Sequence, residues 1–169
     1  MAKNIIILLL PFFVLISCAS KEEKLQNYKD YVQNISDSLK FEDGFNTIKV
    51  IGEKRSIFRS YFLGDDLVFI NEDVSIGNRG TSANKYFFRD DILIHYSEHS
   101  IFMQPDSTGK KNKFQIKGSI YLDGKIVLEA ERFKTEGMID FSGEEIESII
   151  EHSKLLQELA KKNRPRKVE

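Results

Sequence analysis

The sequence predicts an α+β domain: an antiparallel β-meander of about six or seven strands, with an N-terminal and a C-terminal helix packed on the sheet. Three observations lead there. Apolar residues recur at helical spacing, three and four apart, near both ends of the chain. Between Asn46 and Phe133 the period falls to two, and β-branched and aromatic residues concentrate. Within that stretch one unit recurs three times without gaps, at Tyr61–Phe69, Tyr86–Ile94 and Ile120–Leu128. Each unit is three apolar residues, a polar three-residue break and three apolar residues, the pattern of a hairpin.

The chain start lies outside that fold. Met1–Asn4 carries one cation, Lys3, and the apolar run Ile5–Ile16 is twelve residues long, Pro11 included. A spanning helix needs roughly twenty residues. A charged start, a short apolar run and a small-residue cleavage site instead make an export signal. The run ends in Leu15-Ile16-Ser17-Cys18 and is followed at once by Ala19-Ser20-Lys21-Glu22-Glu23-Lys24. Those first four residues resemble the lipobox of bacterial lipoproteins. The resemblance covers the first eighteen residues only. It implies diacylation of the Cys18 thiol, cleavage before Cys18 and acylation of the new amine. Cys18 is the only cysteine, so no intramolecular disulfide can form despite an oxidising destination. Acyl chains at about 0.8 kcal/mol per buried CH₂ would make the attachment effectively permanent.

Two finer marks follow from the resemblance. Ala19 stands where enterobacterial lipoproteins retained at the inner membrane carry Asp. Lys21-Glu22-Glu23 is similar to the short export tag of some Bacteroidota surface lipoproteins; it is also the acidic first turn that a helix dipole favours. The expected location is therefore the outer membrane, either periplasm-facing or surface-exposed. The organisation that results is a signal peptide at 1–17, a lipidated anchor and short tether at 18–24, one domain at 25–162 and a basic tail at 163–169.

The mature chain of 152 residues is long enough for one domain with a sizeable core. Removing Lys3 leaves 24 basic residues against 26 acidic ones, a net charge of −2. There is no global basic field, which argues against nucleic acid as a partner.

Element by element, Lys21–Lys40 reads as a helix whose apolar stripe is Leu25, Tyr28, Val32, Ile35 and Leu39. Strands are expected near Ser56–Leu63, Asp66–Ile70, Lys85–Arg89, Ile92–His99, Phe114–Leu122 and Lys125–Phe133, with Thr47–Ile51 as a seventh. Gly64-Asp65 suits a type II′ turn and Asp123-Gly124 a type I′ turn, while Arg89-Asp90 is the poorest turn of the three. Two-residue turns would put Phe62, Leu67, Phe69, Phe87, Ile94 and Tyr96 on one face. They would put Tyr61, Val68, Ile70, Tyr86, Phe88 and Leu93 on the other. Both sets are apolar, so both faces need cover or the sheet must curl. Asp140–Lys162 is the second helix, with Ser142 and Glu145 as a capping box and Phe141 and Ile146 as a hydrophobic staple.

Few residues suggest chemistry. His95 and His99 fall on one strand and one face about 13 Å apart, too far for one metal ion. His152 sits among polar neighbours on the second helix and reads as solvated. The acidic pairs Asp65-Asp66, Glu72-Asp73 and Asp90-Asp91 read as turn chemistry, and Glu144-Glu145 as a helix start. The stretch Ile76–Lys85 is Gly- and hydroxyl-rich and reads as a mobile connection. Its Arg79, Thr81, Ser82 and Asn84 are the candidate ligand residues, although the Gly-Lys-Ser/Thr ending of a phosphate loop is missing. No Ser-His-Asp or Cys-His arrangement can be composed. The expectation is a lipid-anchored envelope lipoprotein without cofactor or metal. It would be held to the membrane by Cys18 and would bind an envelope or extracellular protein, as an assembly, inhibitor or immunity-type protein. The alternative is a hydrolase of envelope polymers using paired carboxylates.

Overall fold

The computed structural model describes residues 20–39, 44–51, 54–105, 107 and 109–164. Cys18 and the rest of the signal lie outside the described residues, as does the tail beyond Arg164. The fold is α+β, with an eight-stranded antiparallel sheet in simple sequence order and a helix at each end of the chain. Helix α1 is Lys21–Ser38; the strands are β1 Phe45–Ile51, β2 Lys54–Leu63, β3 Asp66–Ile76, β4 Gly80–Arg89, β5 Ile92–Pro105, β6 Lys111–Asp123, β7 Ile126–Lys134 and β8 Gly137–Met138; helix α2 is Gly143–Asn163. The count of eight exceeds the expected six or seven because the chain turns once more after β7 into the two-residue β8.

Each helix covers one face. Successive residues of β4 divide between them: Tyr86 and Phe88 pack with Leu156 and Ala160 of α2, and Phe87 packs with Ile35 of α1. The α2 stripe expected from the sequence is the one buried: Leu156 and Ala160 are in the core, and Ile146, Ile149, Ile150 and Leu159 pack on it. The capping box is present, with Ser142 Oγ accepting from Glu145 N and the Glu145 carboxylate accepting from Ser142 N. Helix α1 crosses the strands near the hairpin tips. Its Lys24 meets Asp123 at 2.7 Å, Lys29 meets Glu129 at 2.8 Å, and Tyr31 donates to Phe88 O at 2.9 Å. Residues 21–24 are thus the first turn of a docked helix and not a tether.

The three repeated hairpins share one irregularity. Two pairs above each turn the register slips, between Tyr61 and Phe62, Phe87 and Phe88, and Tyr121 and Leu122. The extra residues opposite are Val68, Ile94 and Leu128, each left without a partner. Such a bulge sets two adjacent side chains on the same side of the sheet. Val68 and Phe69 both pack on the α1 side. The face sets expected from strict alternation are therefore mixed: Phe62, Leu67 and Tyr96 lie under α2, while Phe69, Phe87 and Ile94 lie under α1.

Turn positions shift as well. The second turn is Asp90-Asp91, with φ of 52° and 62°, and not Arg89-Asp90. The third is Gly124-Lys125 and not Asp123-Gly124, because Asp123 still pairs with Ile126. The first is Gly64-Asp65 as expected, with φ of 60° at Gly64, the single positive φ that a type II′ turn asks of its first residue.

Candidate functional site

Beneath α2 a row of polar side chains crosses the sheet: Glu72 on β3, Asn84 on β4, Glu98 on β5 and Arg132 on β7. Glu72 is 1 % exposed. Its Oε1 accepts from Ser56 Oγ at 2.6 Å, and its Oε2 from Tyr86 OH at 3.0 Å and Asn84 Nδ2 at 3.3 Å. His152 Nε2 lies 3.0 Å and 3.1 Å from the two oxygens. Burial opposes ionisation of Glu72, but the bonds from His152 and Ser56, the charge on His152 and the Asn84 amide outweigh it. The carboxyl sits below its ordinary range. Burial, with the charge of Glu72, pushes the Tyr86 hydroxyl far up, so it stays a neutral donor.

Asn84 extends the network. Its Oδ1 accepts from Tyr96 OH at 3.2 Å and Ser82 Oγ at 2.8 Å, and Ser82 meets Ser100 at 2.6 Å. At the other end Arg132 bonds Glu98 at 2.7 Å and Glu145 at 2.9 Å and lies over the Phe141 ring. Gly118 makes this pairing fit. A Cβ there would come within 2.9 Å of Phe141, 3.0 Å of Arg132 and 3.1 Å of Glu98. Burial raises the Glu98 carboxyl despite Arg132.

These contacts correct two sequence readings. Glu72 lies inside β3 and is not a turn residue. His152 is the partner of a buried carboxylate and not a solvated residue. The 80-residue separation between them leaves no local signal in the sequence. The stretch Ile76–Lys85 is not one mobile loop: only Gly77–Arg79 forms a connection, a single 3-10 turn, and β4 begins at Gly80. The strand then splits the candidate residues. Thr81 faces the α1 side, whereas Ser82 and Asn84 face α2 and join the Glu72 network. Arg79 ends the 3-10 turn.

The α1 side is built differently. Under the helix runs an aromatic row, Tyr61, Phe69, Phe87, His95 and Tyr121, with ring centroids 4.3–5.4 Å apart. His95 is buried there, and burial, helped by the charge of Lys85, pulls its pKa down to about 4. It is neutral at ordinary pH, and its Nδ1 has no hydrogen-bond partner among the described residues. His99, two rows further on, is exposed, so the two histidines stay apart.

Beyond α1 this side of the sheet is open. One row of side chains crosses all eight strands: Ile48, Ile57, Asp73, Ala83, His99, Lys117, Phe133 and Met138. Two shallow grooves lie on it. One, of about 430 Å³, includes Arg55, Asp73, Thr81, His99 and Ile101. The other, of about 420 Å³, includes Lys113, Lys117 and Phe133. Neither reaches Glu72 or Glu98. Among the described residues no group of three His, Cys, Asp or Glu could hold a metal ion, and no helix is long and apolar enough to cross a membrane.

No family model, curated protein or solved structure matches the chain.

Proposed function

We propose that the protein is a lipid-anchored lipoprotein of the bacterial cell envelope, probing its surroundings by binding and not by catalysis. The observation that carries this reading is Leu15-Ile16-Ser17-Cys18 at the end of the short apolar run; the start of α1 adds how such an anchor would hold the domain. Lys21 lies three residues beyond Cys18, a reach of at most about 11 Å. Through Lys24–Asp123 and Tyr31–Phe88 the helix is fixed to the sheet. Acyl chains on Cys18 would therefore hold a rigid body, with the hairpin tips nearest the bilayer and the open half of the sheet directed away.

The reading is tested by comparing the intact mass of wild type and Cys18→Ala after membrane extraction. Loss of the first seventeen residues with added acyl mass, on wild type only, is the expected result. An unacylated wild-type chain overturns it. Protease added to whole cells then separates surface display, where the domain is cut, from a periplasm-facing anchor, where it is protected.

One observation favours the second reading, an envelope-polymer hydrolase. Glu72 and Glu98 share a row two strands apart, about 10 Å, and their acidities are pushed in opposite directions. Against it, both oxygens of Glu72 are fully engaged and Arg132 occupies Glu98. Substrate would reach them only after α2 lifted off the sheet. Unchanged turnover of isolated cell-wall polymer by Glu98→Gln and wild type would remove this reading.

A further inference from the structure

We propose that the open half of the sheet docks a protein partner whose contacting surface is acidic. The inference deepens the binding function proposed above by naming its surface and the chemistry of its partner. An antiparallel sheet with one wet face normally turns polar side chains outward. Here β1 does the reverse. Ile48 and Val50 point away from α2 and are 59 % and 65 % exposed, while Thr47 and Lys49 turn inward and are half-buried. Ile57 adjoins them on β2, and Phe133 and Met138 form a second exposed apolar group at the other edge, with Asp73, His99 and Lys117 between and Met103 at the far end of β5. Eight strands with a spacing of about 4.8 Å, and three rows about 7 Å apart, give a surface on the order of 600 Å². That approaches the roughly 800 Å² per partner of a standard interface.

Charge selects the occupant. Arg55, Lys85, Lys113 and Lys117 are exposed on this half, against Asp73 and Glu131. A second copy of this chain, docked by the same patch, would set those cations against each other. A flat bilayer is kept off by α1, which stands about 10 Å above the sheet as a ledge. A purely anionic glycan would answer the cations and leave the apolar residues uncovered. An acidic protein surface with apolar groups at its flanks satisfies both, and electrostatic complementarity would set its register.

The test places a photo-reactive benzoylphenylalanine at Thr81, exposed at the centre of the patch, in the full-length chain in its producing cells. Glu158, exposed on α2, carries the control. The expected result is a protein adduct from Thr81 and none from Glu158. The cross-linked peptide should be net acidic, and the yield should fall about tenfold in Lys85→Glu/Lys117→Glu. Arg55→Glu is the second variant should the pair fail to fold, as judged by circular dichroism. An adduct of twice the chain mass, a lipid or glycan adduct, an adduct indifferent to charge reversal, or no adduct overturns the proposal. Intact mass from the same cells separates the two readings. An acylated chain without an adduct overturns the docking surface alone. A charge-sensitive adduct from an unacylated chain supports the surface while the anchor falls.

Discussion

Glu72 is the residue on which the two halves of the chain meet. A carboxylate at 1 % exposure is costly unless every lone pair is answered. Ser56 and Tyr86 answer from neighbouring strands and His152 answers from α2. The interaction therefore fixes where α2 sits along the sheet, a positioning role that apolar packing alone would leave looser. Its pH dependence has a definite sign. The unfolded carboxyl has the ordinary value of 4.5, and the folded one lies lower. Its contribution is full above 4.5 and is lost below it, as the folded carboxyl takes up its proton. Glu72→Gln keeps the shape and removes the charge, and it should cost about 1–3 kcal/mol at pH 7. The gap to wild type should narrow by pH 3. Urea midpoints at the two pH values measure this, and a gap independent of pH would show that Glu72 is not ionised in the folded protein.

At the scale of elements, what was legible follows from chemistry that is local in sequence. Ser142 and Glu145 stand three apart and mark the cap of α2 to the residue, although the helix itself begins at Gly143 and not at Asp140. Leu156, Leu159 and Ala160 keep helical spacing and are the residues buried or packed on the core. The bulges at Val68, Ile94 and Leu128 were not legible, because both faces of these strands are apolar and a slip of one position leaves the pattern looking the same. The three repeats nonetheless carry the slip at the same distance from their turns, so the repeat is one of backbone geometry as well as composition. The Glu72–His152 contact was hidden for another reason: its members belong to different elements, and nothing near either one signals the other. The turns give a prediction. Asp90 and Asp91 both hold positive φ, with their type I′ geometry unaided by glycine. The pair Lys161–Asp91 is exposed and contributes little. Asp90→Asn/Asp91→Gly relieves that left-handed backbone and should stabilise the domain by about 0.5–1 kcal/mol, net of glycine's greater freedom in the unfolded chain. Calorimetry would register it as a rise in Tm, and a fall would mean that the Asp91 side chain anchors the end of α2 more strongly than an exposed pair can.

Across the whole molecule, cover is uneven. At the hairpin-tip end both faces are closed, by α1 on one side and α2 on the other, and the fully buried Phe88, Ile94 and Leu122 lie there. At the far end β5 and β6 run on to Pro105 and Lys111 with Met103, Gln104 and Lys113 exposed. Strands bonded alike along their length should therefore differ in stability along it, because the local opening energy follows the apolar contact that opening disrupts. Amides of Phe87–Arg89, Ile92–His95 and Ile120–Leu122 should exchange with deuterium only on global unfolding. Those of Phe102–Gln104 and Lys111–Lys113 should exchange at least about a hundredfold faster, through local opening. Uniform protection along β5 would mean that the open end is already covered, by a second copy or by a segment of this chain, and would shift attention from a foreign partner to self-association. A gradient with the slow end at the tips would leave the far end free to rearrange on the proposed partner while the tip end stays rigid. That division of labour is what the proposed attachment through Cys18 would require.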